Sequence, residues 1–361
     1  MAIHASASVL DFYAGPKALT LLRDEGLRPD RIKVVAGAAG GPKGLVLHGL
    51  DLYLLDFFAG RTAPLFLLGA SIGAWRFLST ILGAAALQRF TAAYTEQFYS
   101  RPPTPQEVSA QSRRILSGLM GHHAPAEALS HPYYRLSLLA VRGRHLVGDR
   151  RKPVLTMGLG GAVVANLAKR SALQYFFERT LFHDPRDTPP FWAMDDMPCR
   201  RVALCDANLL PATAASGAIP LLMDGVSDIP GAPVGTYWDG GIVDYHIDVD
   251  YLGGDADALV LYPHFTDRII PGWLDKTLTW RKPRSPARDR LVVLAPSADF
   301  VAGLPLGKIP DRSDFQRFFG HDGQRLAYWR HVVEKSRLLA EAFHEATASG
   351  RIGALAKPLP C

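Results

Sequence analysis

Gly69-Ala70-Ser71-Ile72-Gly73 is the segment whose residue types and spacing point most directly to chemistry. It fits G-x-S-x-G, follows the apolar run Pro64-Leu65-Phe66-Leu67-Leu68, and precedes the apolar, alanine-rich stretch Ala74 to Leu87. Between a buried strand and a helix, a serine is held in a strained turn and projects above the strand end, while glycines two positions either side let the backbone reverse. The first helix amides then favour negative charge developing beside it. The same pattern also fits a purely structural turn, since a chain with 33 glycines meets it by chance fairly often.

A serine that attacks an ester builds negative charge on the carbonyl oxygen, and each backbone donor aimed there is worth on the order of 10²- to 10³-fold in rate. Gly37-Ala38-Ala39-Gly40-Gly41-Pro42-Lys43-Gly44 is a candidate source of donors. Pro42 has no N–H, which narrows the set to Gly40, Gly41 and their neighbours, with the Ile72 amide as a second contributor. A phosphate-binding loop is the competing reading, but neither G-x-G-x-x-G nor G-x-x-x-x-G-K-[ST] is met. The serine also needs a base. Tyr237-Trp238-Asp239-Gly240-Gly241 delivers an aspartate at the end of an apolar strand. An ordinary Asp, with a pKa of about 3.9, is a poor base for serine, so the role demands a desolvated site. By itself Asp-Gly is a common turn. Lys43, Gly240 and Gly241 are the candidates for contact with substrate.

These segments need elements to position them. Leu19 to Glu25 reads as a short helix stopped by Gly26, and Arg31 to Ala36 as a strand running into the glycine-rich loop. Apolar residues from Leu45 to Phe58 follow a helical period that ends at Gly60, and Pro64 to Leu68 has the length of a buried strand. Ala74 to Leu87 predicts the next helix. Further strands are expected at Leu136 to Val141, Arg201 to Leu204, Thr236 to Trp238, Ala258 to Tyr262 and Leu291 to Leu294, with a closing helix over Leu326 to Ala348. Alternating strands and helices imply a three-layer α/β/α fold with a mostly parallel central sheet. No internal repeat or flexible linker divides the chain, so one domain over 1–361 is expected, with its motif core at about 31–262 and the remaining N- and C-terminal segments packed on it.

Composition removes several classes. With 361 residues, 48% hydrophobic and 20% charged, the chain is neither disordered nor fibrous. A formal charge of +6 favours anionic partners, but the basic residues are scattered and no nucleic-acid-binding motif is present. Cys199, Cys205 and Cys361 form no C-x-x-C pair, which suits a reducing compartment, and a cytoplasmic protein is expected. The opening residues lack a secretory signal pattern, and no apolar run reaches the roughly 18 residues of a spanning helix. Membrane contact, if any, is expected to be peripheral.

Taken together the three segments resemble the patatin-like phospholipase family. That family carries a G-G-G-x-[KR]-G oxyanion loop, a G-x-S-x-G elbow and a D-G-[GA] base motif in this order. Ala39 to Gly44, Gly69 to Gly73 and Asp239-Gly240-Gly241 match them in turn. Thr213-Ala214-Ala215-Ser216-Gly217-Ala218-Ile219-Pro220 is similar to the family's A-S-x-A-x-P segment. The resemblance spans Ala39 to Gly241. It implies an acyl-hydrolase fold, Ser71 as nucleophile, Asp239 as base, and oxyanion contacts from Gly40, Gly41 and Ile72. It also implies a fatty-acyl ester substrate such as a phospholipid or lysophospholipid, with no cofactor and no metal. Two departures stand out. Ala39 replaces the loop's first glycine, which a negative φ would tolerate, and Ile242-Val243-Asp244-Tyr245-His246-Ile247-Asp248 replaces the usual Asn and Pro after the base.

Other readings share these residues. A Ser-His-Asp esterase would need a histidine after the acid, and His246, His264, His321, His331 and His344 all qualify by position. An inactive lipid-binding protein, or an acyltransferase, could use the same fold. His246, Asp248 and Asp250 could face one cation, but their spacing merely shares a strand face. Pro271 to Arg290 mixes Trp273 and Trp280 with lysines and arginines, a composition that suits an anionic lipid surface or a solvated loop.

Overall fold

In the computed structural model, residues 8–119, 124–194 and 196–360 are described. Eleven strands among them form one sheet: β1 (Leu10–Ala14), β2 (Ile32–Gly37), β3 (Leu65–Ala70), β4 (Tyr134–Gly143), β5 (Phe177–His183), β6 (Cys199–Ala203), β7 (Val226–Ser227), β8 (Thr236–Asp239), β9 (Leu259–Pro263), β10 (Leu291–Pro296) and β11 (Lys357–Pro358). Their order is β11-β1-β10-β9-β2-β3-β4-β5-β6, with β8 on β4 and β7 on β8. From β10 through β9, β2 and β3 to β4 every pairing is parallel. Helices flank this sheet, giving an α/β architecture. The interior of such a sheet demands strands apolar on both faces, and every residue of Leu65–Ala70 is buried. Segments outside 31–262 also enter the sheet: β1 and β10 pair antiparallel, and β11 lies on β1.

One topological detail positions the site. Residues 137–143 of β4 pair with β5 on one side. On the other side β3 pairs with residues 134–139, and antiparallel β8 takes over at residues 140–142. Strands β3 and β8 therefore run toward one another along the same edge of β4. Ala70 pairs with Leu139 and Asp239 with the adjacent Ala140, so the chain ends of the two strands meet head to head.

The expected strands are present, and four more were not foreseen: β1, β5 and the two-residue strands β7 and β11. Glu178 and Arg179 break the apolar look of β5, yet both are buried and ion-paired; β1 contains Asp11 in an alternating burial pattern. Three expected helices are subdivided. Gly83, at φ 88°, separates Ile72–Ile81 from Ala84–Thr95. A tight helical stretch, Gly41–Leu47, precedes His48–Phe57. The closing helix breaks at buried Ser336, whose hydroxyl accepts from the Gly49 amide at 2.9 Å. No helix among the described residues is long and apolar enough to cross a membrane.

Candidate active site

Ser71 sits between β3 and the helix Ile72–Ile81 at φ 54° and ψ −125°, a region few residues other than glycine occupy. Gly73 is what allows this turn to pack: a Cβ there would lie 2.1 Å from the Gly37 carbonyl oxygen. The strain is held by Ser216, whose Oγ accepts the Ser71 amide at 2.9 Å and donates to the Leu139 carbonyl at 2.7 Å. The Trp75 indole also donates to the Thr213 carbonyl, at 2.8 Å, which ties the elbow helix to the same segment. Ser216 lies in the Thr213 to Pro220 stretch, but its duty as a clamp needed the fold to be seen.

The head-to-head strands bring Ser71 and Asp239 together. Ser71 Oγ donates to Asp239 Oδ2 at 2.7 Å, and Asp239 Oδ1 accepts the Gly241 amide at 2.7 Å. Both residues are buried, at 4% and 6% exposure. Burial pushes the Asp239 carboxyl above the ordinary carboxylate range, while the Ser71 hydroxyl, Arg312 and the Gly241 amide pull it back. That balance makes an ionised Asp239 a stronger proton acceptor than a solvated aspartate. Its own amide donates to the Ala218 carbonyl at 2.8 Å, which holds the backbone of Asp239 from behind.

The loop before the helix offers few free donors. Ala39 N–H donates to the Tyr245 carbonyl at 2.8 Å, Pro42 has none, and Lys43 N–H turns back to Gly40. Gly40 and Gly41 are the remaining amides of this turn. Ile72 is the first helical residue, so its amide has no partner within the helix. Gly41 holds φ 57°, whereas Ala39 keeps a negative φ, so the Ala for Gly replacement is accommodated.

Ser71 stands where two apolar cavities meet. One, of about 810 Å³, runs past Gly41, Ile72, Trp75, Pro102, Met223 and Phe315. The other, of about 640 Å³, holds Gly40, Lys43, Asp239, Gly241, Leu159 and Lys276. Arg312 lines both. Gly240, by contrast, lines neither. It packs on the Leu139 carbonyl, where a Cβ would lie 2.1 Å away. Lys43 lies 5.0 Å above the Phe265 ring, and Lys276 lies 4.1 Å above the Tyr245 ring. Desolvation, aided by Lys43 and Arg312, lowers the Lys276 ammonium to about 8. Lys276 falls in the Pro271 to Arg290 stretch, whose composition reads as a lipid-facing or solvated loop and not as part of the site, and Arg312 lies outside every segment singled out in the sequence.

The remaining candidates fall elsewhere. Among the described residues no histidine lines either cavity. His246 Nδ1 is engaged with Arg268 O and Ile270 N, each at 3.0 Å, and His264 Nδ1 with Thr266. Both rings are fully buried, 4.3 Å apart. Asp244 is an ion-pair residue: Arg179 donates to it at 2.7 and 2.6 Å, and the same guanidinium holds Asp196. Asp248 accepts the Arg284 and Ser285 amides, Asp250 those of Leu252 and Gly253, and no group of three or more His, Cys, Asp or Glu suited to a metal occurs among the described residues. Cys361 lies outside the described residues.

No family model matches the chain, and neither does any curated protein. Among solved structures, the chain aligns with human GIVD cytosolic phospholipase A2 at a TM-score of 0.41 and 11% identity, over 94% of its own length. It spans 63% of that chain.

Proposed function

We propose that the protein is a serine hydrolase of fatty-acyl esters, with Ser71 as nucleophile and Asp239 as its base. The observation that carries this is the 2.7 Å hydrogen bond from the strained Ser71 hydroxyl to a buried Asp239 carboxylate. Ser71 Oγ attacks the ester carbonyl carbon as its proton passes to Asp239. Amides of Gly40, Gly41 and Ile72 receive the oxyanion, and the alcohol departs with the proton from Asp239. Water, deprotonated by Asp239, then attacks the acyl-enzyme, releasing the acid and restoring Ser71.

Two apolar cavities meeting at the serine suit a substrate that is apolar on both sides of the scissile bond, as an acyl lipid is. Lys43, Lys276 and Arg312 beside the dyad favour an anionic group near that bond, such as a lipid phosphate. The test is a panel of acyl esters, neutral and anionic and of graded chain length, offered to wild type, Ser71→Ala and Asp239→Asn. Turnover by wild type with loss in both variants is expected. Equal turnover in wild type and Ser71→Ala overturns the assignment.

A further inference from the structure

The helix Lys152–Ala168 carries no charged residue from Pro153 to Ala168, although much of it is exposed. Its inward face is Leu155, Gly158, Ala162 and Asn166. The outward stripe is apolar too: Met157, Val164 and Leu167 are 61%, 68% and 52% exposed, with exposed Gly160 between them. A helix lying on a soluble domain ordinarily carries charged and polar side chains at such positions. A third face, made of Thr156, Leu159, Gly160 and Val163, lines the cavity that contains Ser71 and Asp239. One helix thus separates the candidate active site from an unusually apolar outer surface.

Along the chain, the charges that flank this stripe at its two ends are basic. Arg150, Arg151 and Lys152 precede it and Lys169 follows, all exposed, and no acidic residue occurs from 150 to 170. Asp149, just before them, is held by Arg151 at 2.6 Å. The turns His145–Gly148 and Arg170–Tyr175 pack along the helix and expose Leu146 and Tyr175, while half-exposed Trp273 sits at the rim of the same cavity. An apolar stripe flanked at both ends by lysine and arginine, whose stems can extend along the apolar zone, matches the boundary of a bilayer with anionic head groups. A second copy of this chain fits less well. A two-fold antiparallel contact through the stripe would set the basic end of one helix against the basic end of the other.

We infer that the outer face of the helix Lys152–Ala168 docks on an anionic phospholipid bilayer, so that acyl chains enter the catalytic cavity along the helix's neighbouring face. This rests on the reading of the Ser71 site as a lipid-ester hydrolase, and the two are tested separately. Binding is measured by sedimentation with vesicles of ether-linked phosphatidylcholine and phosphatidylserine in equal parts, which hold no scissile ester. Hydrolysis is measured with a short-chain ester below its aggregation concentration. The full chain and the variants Val164→Glu and Leu167→Glu, alone and combined, are compared.

Wild type is expected to sediment with these vesicles and less with pure phosphatidylcholine. The double variant is expected to lose binding by on the order of tenfold or more, with hydrolysis of the soluble ester unchanged. Equal sedimentation of wild type and double variant overturns the inference, as does failure of wild type to bind. Self-association of wild type that the double variant abolishes also overturns it, assigning the face to a second copy. Absence of soluble-ester hydrolysis in wild type strikes the catalytic reading instead, because vesicle binding does not depend on it.

Discussion

Ser216 holds Ser71 in its strained turn: a single hydroxyl accepts the Ser71 amide and donates to Leu139, the residue paired with Ala70 across the sheet. Replacing Ser216 with Ala leaves a buried amide and a buried carbonyl without this partner. Unfolding free energy should fall by about 1–3 kcal/mol, and kcat on a soluble ester should fall while KM holds, because the elbow relaxes. Urea melts beside steady-state kinetics check this. Loss of stability with unchanged kcat would show that the clamp supports the fold alone.

Asp244 and Arg179 form a buried bidentate pair that ties the segment after Asp239 to β5. Removing one partner leaves the other charged and poorly compensated, at a cost of about 3–5 kcal/mol. Arg179→Met and Asp244→Leu should each destabilise strongly in denaturant melts, and the double variant less than their sum. Additive losses would mean that the two residues act independently.

Two groups should shape the pH dependence. In the proposed mechanism Asp239 acts only when ionised, and burial raises its pKa, so kcat should rise with pH through a midpoint above the ordinary value of about 3.9. Lys276 loses its proton near pH 8. For an anionic ester KM should therefore climb above that pH, whereas a neutral ester of equal length should not respond. In Lys276→Met the alkaline rise should vanish, and its persistence would assign the limb to another group.

His246 and His264 are buried against each other, and burial depresses both; His264 falls to about 3 and His246 well below its ordinary value. Above about pH 6.5 neither group links stability to pH. Below it the unfolded chain binds protons that the folded chain refuses, so stability should fall by about 1.4 kcal/mol per pH unit for each histidine. For His264 this continues until the pH nears 3. Urea melts from neutral to mildly acidic pH, repeated on His246→Phe with His264→Phe, should give a flatter slope in the double variant. Parallel slopes would place the acid sensitivity elsewhere.

Much of this was legible from local pattern, because the turn at Ser71, the glycine loop and the Asp-Gly-Gly corner each place stringent demands on a few consecutive residues. The parallel strands were legible for the same reason, being buried on both faces and so uniformly apolar. What escaped depends on distant partners. Strand β5 hides behind Glu178 and Arg179, whose charges are matched only by Arg142, Arg144, Asp196 and Asp244 in the folded chain. Lys276 reaches the cavity from a stretch whose composition speaks of a surface loop, and Arg312 from a segment with no motif. The break at Ser336 answers to Gly49, far away in sequence. Likewise, nothing local to Asp239 announces that β8 meets β3 head-on along one edge of β4.

The dyad itself is tested most directly by covalent capture. Wild type, Ser71→Ala and Asp239→Asn are incubated with a fluorophosphonate, and the adduct is located by peptide mass. The account predicts one phosphonylated residue, Ser71, in wild type, none in Ser71→Ala, and labelling slowed by on the order of 10³-fold or more in Asp239→Asn. An adduct on a different serine, or undiminished labelling of Asp239→Asn with intact folding, would contradict it.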